Sequence, residues 1–291
     1  MNYKNITAII VTFRSEKVIF NCLKSIRNIK KIIIFDNSFD EKLKKKVLLK
    51  FPQVNFILSP KNLGYGAGNN AALKKVKTKY AIILNPDTIL LGKCIANLLI
   101  LAKNLNNKFS IIAPSVNGRE KNYGFFAEKK IKKQTVKNQI YFEVDYVKGF
   151  AMFLNMQKIK SVKLFDEKFF MYLEEIDLCK RLKKINESIL VSTSAKCKHI
   201  GAKSSNIGFD FEINRNWHWM WSKIYYASKH DGFFITRIFS IPELLKLIIK
   251  ILFHFTFFNQ NKLLIANARL CGLSASFFKL KSYFRPKLNV R

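Results

Sequence analysis

The first 115 residues alternate short apolar runs with stretches of helical periodicity, and this alternation limits the fold more than any other feature. Runs such as IIIF and YAIIL are apolar without a break, which indicates strands buried on both faces and a mostly parallel sheet. Helices between the strands would cover both faces of that sheet, and Ser15 is expected to cap the first of them. The predicted strands are Ile6–Phe13, Lys31–Asp36, Val54–Leu58, Tyr80–Leu84 and Ser110–Ala113.

The middle of the chain continues the same domain. Residues 117–138 are polar and rich in lysine, which predicts an exposed loop between two halves of the domain. A helix is expected to begin near Glu174, because acids come first and cations last in EEIDLCKRLKKI. The predicted fold class is therefore α/β with a helical C-terminal extension, divided at 1–115, 116–210 and 211–291.

The C-terminal region differs in character. Residues 240–243 form a capping-box pattern with proline at the first helical position, which predicts a helix starting at Ser240. That helix is apolar around most of its circumference, and an aromatic and basic stretch that includes Trp217, Trp219 and Trp221 precedes it. This combination favours contact with an anionic membrane surface. The alternative is a helical hairpin packed on the core or on a second copy of the chain.

The charge restricts the partners. The chain has 52 Lys and Arg against 19 Asp and Glu, a net charge of +33, which attracts nucleic acid, anionic lipid or phosphorylated substrates. Many of the lysines could equally be plain solvated surface. The five cysteines have no metal-binding spacing, which suits a reducing cytosol. No secretory leader and no spanning apolar run is evident in the sequence.

Polar residues follow four of the predicted strands, at the sheet edge where open α/β folds bind ligands. Three glycines, at positions 64, 66 and 68, would allow the backbone to approach a phosphate closely. Asp87 follows an apolar strand and a proline and is a hard oxygen ligand for a divalent cation. Each of these could also be an ordinary turn residue.

Two further features carry chemistry. Glu174, Glu175 and Asp177 follow an aromatic stretch, and carboxylates held against aromatic surface can have the raised pKa that suits a general base. They could instead be acids that interact with the helix dipole. His199 ends another short apolar run and could complete a metal site, or it could be structural.

Seven motifs in order resemble the inverting family 2 glycosyltransferases of the GT-A fold, and among them the bacterial rhamnosyltransferase-like group. The resemblance runs from about Ile6 to Gly232. It implies a Rossmann-like GT-A domain. The motifs are VTFRSE, FDNS, NLGYGAGNN, LNPDT, VKGFAMFLNMQKIKSVKLFDEKFFMYLEEIDLCKRL, KHIGAKSS and WSKIYYASKHDG.

The resemblance implies roles for individual residues. Asp87 and His199 would bind a divalent cation, Mn²⁺ or Mg²⁺. The second acid of the motif, Glu175, would be the catalytic base, with Glu174 and Asp177 as alternatives. Two departures are a glutamate where the family usually has aspartate at 175, and Asn85 where a strict DXD motif has aspartate. The nucleotide-sugar would contact Thr12, Phe13, Arg14, Asp36, Asn62, Gly64, Gly66, Asn69, Asn85, Asp87, Lys148 and Gly149.

The implied activity is transfer of rhamnose or another hexose or deoxyhexose in the synthesis of cell-surface polysaccharide. The donor would be a dTDP-sugar, with UDP- and GDP-sugars as alternatives, and the acceptor a glycan or a lipid-diphosphate-linked sugar. We expect the protein at the cytoplasmic face of the membrane, held peripherally, with self-association as a further option. The rivals are an inactive assembly partner of the same fold and a basic nucleic-acid-binding protein. No nucleic-acid-binding signature supports the latter, so we expect no nucleic acid partner.

Overall fold

The computed structural model describes residues 3–118, 120–160, 162–201 and 208–282. The five predicted strands are all present, and the last of them extends to Val116. The strands are β1 Ile6–Thr12, β2 Lys31–Asp36, β3 Val54–Leu58, β4 Tyr80–Leu84, β5 Thr88–Leu91, β6 Ile111–Val116, β7 Tyr123–Gly124, β8 Gln134–Val136, β9 Gln139–Glu143, β10 Tyr146–Val147, β11 Ala151–Asn155 and β12 Ile189–His199.

The helices lie between and after these strands. The helix expected near Glu174 begins at that residue. The helices are α1 Glu16–Ser25, α2 Glu41–Lys50, α3 Tyr65–Leu73, α4 Cys94–Asn104, α5 Met156–Ile159, α6 Glu174–Lys184, α7 Phe209–His230, α8 Phe233–Thr256 and α9 Gln260–Phe277.

One large sheet organises the first two thirds of the chain. Its order is β3-β2-β1-β4-β11-β6-β12-β9-β8, and β5 pairs with β12. β1 to β4 are mutually parallel, while β11 runs antiparallel between β4 and β6. β1 and β4 are buried along their whole length, as their continuous apolar sequences require. The mostly parallel α/β sheet flanked by helices is therefore confirmed.

The sheet has an apolar core on each face. Alternate residues of a strand point to opposite faces, so Ile10 packs in the cluster that contains residues of α1, α2 and α4. Its neighbour Ile9 packs in the cluster that contains residues of α3 and α6. The sheet is therefore covered by α1, α2 and α4 on one face and by α3 and α6 on the other.

The described residues form two compact units. We call the first the sheet unit (3–118, 120–160, 162–166 and 175–201) and the second the helical unit (167–174 and 208–282). The sequence predicted 1–115 and 116–210 as two halves of one domain, and residues before and after 115 share one sheet. Residues 167–174 group with the distant helices because their aromatic side chains pack there, as Phe169 does against Trp221.

One local prediction was wrong, and two were right only in part, since Ser15 is the N-cap residue of α1 but does not cap it with its side chain. α8 begins at Phe233, nine residues before Pro242, so the capping-box pattern at Ser240 does not start a helix. The proline removes one N–H donor, while the Ser240 hydroxyl donates to the Thr236 carbonyl within the same helix. The Ser15 side chain bonds to Phe13 and not to the first turn of α1. The lysine-rich loop contains β7 and β8.

The helical unit has its own interior. Trp217 and Trp221 are buried with Phe169, whereas Trp219 is partly exposed. Gly272 of α9 lies against the backbone of α7 so closely that a Cβ there would meet the Trp217 carbonyl oxygen. The tryptophans predicted to face a membrane are therefore largely internal. Within the described residues, no helix has the length and apolar character needed to cross a bilayer.

Candidate active site

The chemistry-bearing residues of the sheet unit meet at one edge of the sheet. Thr12 and Asp36 are paired at the carboxyl ends of β1 and β2. β11 runs antiparallel to β4, so the segment just before Ala151 lies at the same edge as the residues after Leu84. His199, at the end of β12, pairs with Thr88 and is thereby placed beside Asp87.

Asp36 is fully buried, and its carboxylate is saturated with hydrogen bonds. The hydroxyls of Thr12 and Ser38 donate to Oδ1 at 2.7 and 2.8 Å. The backbone N–H groups of Ser38 and Asp40 donate to Oδ2 at 3.2 and 2.9 Å. A carboxylate has about four acceptor positions, so Asp36 fixes the turn after β2 with all of them. Arg14, whose N–H donates to the Ser38 hydroxyl at 3.1 Å, is part of the same turn network.

The glycine-rich loop is held to that turn by Asn37. The Asn37 side chain accepts from the Leu63 N–H and donates to the Gly64 carbonyl, both at 3.0 Å. Gly64 has φ 83°, in the region that favours glycine. The Asn62 side chain accepts from the Gly64 N–H at 3.0 Å and closes the turn that precedes α3.

α3 then contacts the segment before β11. The Tyr65 hydroxyl donates to the Gly149 carbonyl at 2.6 Å. A Cβ on Gly149 would lie 2.9 Å from that hydroxyl, so the contact needs glycine. Gly66 and Asn69 are buried in the first turns of α3, and Asn69 donates to the Tyr65 carbonyl. The Asn69 Oδ1 has no hydrogen-bond partner in the described chain.

Asp87 differs from Asp36 because it is buried without a comparable set of donors. It is 2% exposed, and its Oδ1 forms no hydrogen bond with any described residue. The turn that carries it is fixed by Phe150, whose carbonyl accepts from the Asn85 N–H at 2.9 Å and the Thr88 hydroxyl at 3.0 Å. A buried carboxylate oxygen without a donor is costly unless a ligand completes it.

The two ring nitrogens of His199 face two different carboxylates, those of Asp87 and Glu120. Its Nε2 lies 3.5 Å from Asp87 Oδ1, too far for a well-formed hydrogen bond. Its Nδ1 lies 3.3 Å from Glu120 Oε2. The imidazole stacks on Phe150 with ring centroids 4.1 Å apart. Burial lowers the pKa of His199, but the Asp87 and Glu120 carboxylates outweigh burial, so its pKa is raised.

These groups fit a divalent cation. The unsatisfied oxygen of Asp87 and the Nε2 of His199 form an oxygen and nitrogen pair suited to Mn²⁺ and, through the carboxylate, to Mg²⁺. Glu120 stands behind the imidazole, as a carboxylate commonly does behind a histidine ligand. Among the described residues, no group of three or more His, Cys, Asp or Glu converges on one point, so a cation here would take its other ligands from water and a diphosphate.

Glu175 lies near the Lys148–Phe150 segment. Its carboxylate is partly buried, and the backbone N–H groups of Gly149 and Ile176 are close enough to lower its pKa. Burial raises the pKa of Glu175, and these N–H groups together with the Lys148 ammonium partly offset that rise. The Lys148 ammonium also lies 3.2 Å from Glu120 Oε1. One segment therefore lies between Glu175 and His199. Lys148 and Gly149 influence the pKa of Glu175, while Phe150 stacks on the His199 ring.

The other two candidate acids have different surroundings. Asp177 is fully buried and accepts from Arg181 Nε at 2.8 Å. The Arg181 guanidinium also donates to the carbonyls of Lys163 and Leu164. A carboxylate locked in such a network suits a structural role. Glu174 is buried and groups with the helical unit.

A family model for glycosyl transferase family 2 matches residues 7–162. The chain belongs to glycosyl transferase family 2. The matched segment includes the glycine loop, Asp87 and the Lys148–Phe150 segment. The family relationship inferred from the seven motifs is therefore confirmed. Residue 161, and residues 202–205 of KHIGAKSS, lie outside the described residues.

Two characterised relatives resemble this family 2 chain at modest identity. The low-salt glycan biosynthesis hexosyltransferase Agl10 of Haloferax volcanii is 26% identical over 204 residues, covering 64% of each chain. The rhamnosyltransferase WbbL of Escherichia coli is 28% identical over 176 residues, covering 52% of this chain and 66% of WbbL. The chain thus spans slightly less than two thirds of either relative.

Solved structures of glycosyltransferases share the fold. The mannosyltransferase PcManGT of Pyrobaculum calidifontis, in complex with GDP-mannose and Mn²⁺, superposes with a TM-score of 0.57 at 8% identity, covering 94% of this chain and 87% of PcManGT. GalNAc-T7 with UDP, GalNAc and Mn²⁺ gives 0.52 at 11% identity, covering 75% of this chain and 50% of GalNAc-T7. The GT-A architecture expected from the resemblance is confirmed.

The structure adds residues that the sequence did not single out for this family 2 site. Glu120 lies in the stretch predicted to be a loop, yet it reaches both His199 and Lys148. Phe150 anchors the Asp87 turn with its carbonyl and stacks on His199 with its ring. Asn37 fastens the glycine loop. An apolar residue and an amide inside such motifs carry no chemical signal of their own, and the partner of Glu120 is far away in the sequence.

Proposed function

We propose that this protein is a divalent-metal-dependent glycosyltransferase that moves a hexose or deoxyhexose from a nucleoside-diphosphate sugar to an acceptor hydroxyl with inversion. Family membership supports a glycosyltransferase. The observation that carries the mechanism is the segment Lys148–Gly149–Phe150. The Gly149 N–H is close enough to Glu175 to lower the pKa of its carboxyl, and the Phe150 carbonyl accepts from the Asn85 N–H in the turn of Asp87. Such a segment would hold a base and a cation site in fixed register.

The donor nucleotide would occupy the edge formed by the turns after β1 and β2 and the glycine loop. Thr12, Phe13 and Arg14 would line it together with Gly64 and Gly66. Because its four acceptor positions are filled, we propose that Asp36 shapes this pocket and does not itself bind the base. A dTDP-sugar is the first choice, supported by the likeness to a rhamnosyltransferase. The complexes of structural neighbours with UDP and GDP-mannose make those donors the alternatives to test.

Asp87 and His199 would hold the cation, Mn²⁺ or Mg²⁺. When bound, the cation supplies charge neutralisation of the leaving diphosphate, typically worth several kcal/mol. Asn85 would help to position Asp87 through its backbone, because its N–H donates a hydrogen bond to the Phe150 carbonyl. The Lys148 cation lies close enough to lower the pKa of Glu175.

Glu175 would act as general base. It takes the proton of the acceptor hydroxyl as that oxygen attacks the anomeric carbon, and the nucleoside diphosphate leaves from the opposite face. The Gly149 and Ile176 N–H groups favour the ionised carboxylate that a base needs, because both lower its pKa. Glutamate is one methylene longer than the aspartate usual in the family, so its side chain would have to retract to keep the oxygen within reach of the acceptor hydroxyl.

The acceptor would be a glycan or a lipid-diphosphate-linked sugar in cell-surface polysaccharide synthesis, used at the cytoplasmic face of a membrane. The similarity to Agl10, a hexosyltransferase of glycan biosynthesis, supports a glycan acceptor. The net charge of +33 supports an anionic, membrane-held acceptor. The sugar and the linkage depend on pocket side chains that only donor and acceptor screens will identify.

The test is Glu175→Gln. We expect transfer and donor hydrolysis to fall about a hundredfold to ten-thousandfold, because the amide cannot accept the proton. Donor binding with Mn²⁺, measured by thermal shift, should persist. Glu143→Gln is the matched control, since Glu143 is an exposed acid of β9 paired with Lys183, and it should keep full activity. Undiminished turnover by Glu175→Gln would refute the assignment.

The raised pKa of Glu175 predicts a pH dependence. The base must be ionised, so kcat/KM should fall on the acid side at a higher pH than an ordinary glutamate, whose pKa is about 4.3, would give. A carboxyl with a raised folded pKa stabilises the fold below its unfolded pKa and loses that contribution as pH rises. Glu175→Gln should therefore melt at the same or a higher temperature than the wild type at pH 7 to 8, which separates lost chemistry from lost folding.

A further inference from the structure

α8 buries one narrow side against the helical unit and exposes many large apolar side chains to solvent. Thr236, Ser240 and Leu247 are its buried residues. In contrast Phe234 is 76% exposed, Ile238 64%, Phe239 79%, Ile249 65% and Leu252 60%. An ordinary surface helix turns its apolar stripe inward and exposes polar residues, whereas α8 is apolar on its exposed side as well.

The exposed residues form one continuous stripe. Positions 234, 238, 241, 245, 249 and 252 recur every three or four residues, which places them on a single helical face. That face lies about half a turn away from the buried stripe of Thr236, Ser240 and Leu247. We call it the outer face of α8. Phe257 and Phe258, which follow the helix, extend the apolar surface with exposures of 69% and 90%.

Cations lie along both sides of the outer face. Arg237 and Lys279 both contact the Phe233 ring, with Arg237 Cζ 3.9 Å and Lys279 Nζ 4.0 Å from its centroid. Lys246 and Lys250 are exposed on the other side. Between residues 233 and 282 the sequence has one acid, Glu243, and its carboxylate lies 3.8 Å from Lys223. The surroundings of the outer face are therefore strongly positive.

We propose that the outer face of α8 lies flat in the interface of an anionic lipid leaflet, with its apolar side chains among the acyl chains and the flanking cations at the phosphates. A helix with a wide apolar face and a basic border binds membranes in this way. Each Lys or Arg near an anionic surface strengthens membrane binding about fivefold. This proposal rests on the proposed function in one respect: a membrane-held acceptor would require the enzyme to bind the membrane.

A second copy of the chain is a poorer occupant for this surface. A symmetric dimer would pack the same face against itself. The cations that border the face, Arg237, Lys246, Lys250 and Lys279, would then lie near cations of the second copy, and Glu243 is the one acid of α8. Like charges brought together without acids oppose association, whereas lipid phosphates complement them.

The experiment is co-sedimentation of the full chain with vesicles of phosphatidylcholine alone or mixed with phosphatidylglycerol. We expect binding to the anionic vesicles that weakens with salt. Ile238→Glu with Leu245→Glu should reduce it at least about a hundredfold, since two apolar side chains lose their burial and two like-charged groups are added. The matched control is Leu49→Glu with Ile185→Glu, which changes two exposed apolar residues of the sheet unit and should bind as the wild type does.

A second pair separates charge from apolar burial. Lys246→Gln with Lys250→Gln should reduce binding about thirtyfold. Lys42→Gln with Lys45→Gln, on the exposed side of α2, changes the net charge equally and should have little effect. Thermal melting of each variant, together with its response to nucleoside diphosphate and Mn²⁺, checks that the fold and the donor site remain.

The outcomes are distinct. No binding of the wild type to anionic vesicles overturns the proposal, and so does equal binding by the α8 variants and their controls. A wild type that self-associates, and becomes monomeric in Ile238→Glu with Leu245→Glu without binding vesicles, assigns the face to a second copy and also overturns it. Failure of nucleotide binding would count against the proposed function and would leave the vesicle result standing.

Discussion

Two buried aspartates at the same edge of the sheet, Asp36 and Asp87, differ in the number of hydrogen bonds that their carboxylates accept. Asp36, after β2, accepts four hydrogen bonds from Thr12, Ser38 and Asp40. Asp87, after β4, has an oxygen that forms no hydrogen bond with a described residue and faces the imidazole of His199. The two carboxylates are almost equally buried, so exposure does not distinguish them.

The two sets of hydrogen bonds separate a buried acid that fixes a turn, Asp36, from one whose oxygen is left for a ligand in the proposed function, Asp87. A saturated carboxylate stabilises the loop that donates to it. An unsaturated one is retained at a cost, which a bound cation would offset. The β1/β2 end should therefore respond to mutation mainly in stability, and the β4/β5 end mainly in metal-dependent activity.

Among the substitutions that test this comparison, Asp87→Asn should have the largest effect. The substitution removes the charge that would bind the cation, and we expect kcat/KM for transfer or donor hydrolysis to fall about a thousandfold. The free energy of unfolding should stay the same or rise, because a buried unsatisfied charge is removed. Activity assays across a Mn²⁺ titration, with urea unfolding in parallel, measure both. Retained Mn²⁺-dependent activity would remove Asp87 from the site.

Asp36→Asn should show the opposite pattern. The amide would turn an N–H₂ toward the Ser38 and Asp40 N–H groups or toward the two hydroxyls, leaving buried donors without an acceptor. We expect the free energy of unfolding to fall by about 2 to 4 kcal/mol, measured by urea denaturation. At a temperature where the variant is folded, its half-saturating Mn²⁺ concentration should match the wild type. A stable variant with weakened metal response would reverse the comparison.

Glu120→Gln should have the smallest effect. Glu120 contacts His199 on the nitrogen that faces away from Asp87, and it also contacts Lys148. Loss of its charge leaves the imidazole less firmly oriented, and we expect Mn²⁺ affinity to fall about tenfold with little change in melting temperature. Glu128→Gln, from the same lysine-rich stretch, serves as control. An unchanged Mn²⁺ affinity would show that Glu120 is only a surface ion pair.

The sheet unit could be predicted well from the sequence because its strands are continuous apolar runs with polar residues at their ends. Lys31–Asp36, Val54–Leu58 and Tyr80–Leu84 have the predicted bounds. Parallel pairing brings strand ends to one edge, so the proximity of Asp36 to Thr12 also follows from the pattern. The adjacency of Asp87 and His199 was implied by the family resemblance, and the pairing of β5 with β12 provides its structural basis.

Other features depend on tertiary contacts that no local pattern reports. The saturation of Asp36 requires the turn of Ser38 to Asp40 to fold back onto the carboxylate. The start of α8 at Phe233 overrides a strong capping pattern at Ser240, since Arg237 packs on Phe233 and Phe277 and donates to the Phe277 carbonyl. Burial of Trp217 and Trp221 depends on α9 lying against α7. Long-range packing decides each case.

The central claim is that Asp87 and His199 hold the cation that the donor diphosphate needs, within reach of Glu175. The most direct measurement is a crystal structure of the protein with Mn²⁺ and a nucleoside diphosphate, with anomalous scattering used to locate the metal. We predict one Mn²⁺ coordinated by Asp87 Oδ1, His199 Nε2 and diphosphate oxygens, with the Glu175 carboxylate facing the site of the sugar. A bound diphosphate with Mn²⁺ elsewhere, or with Asp87 and His199 turned away from it, would contradict the account.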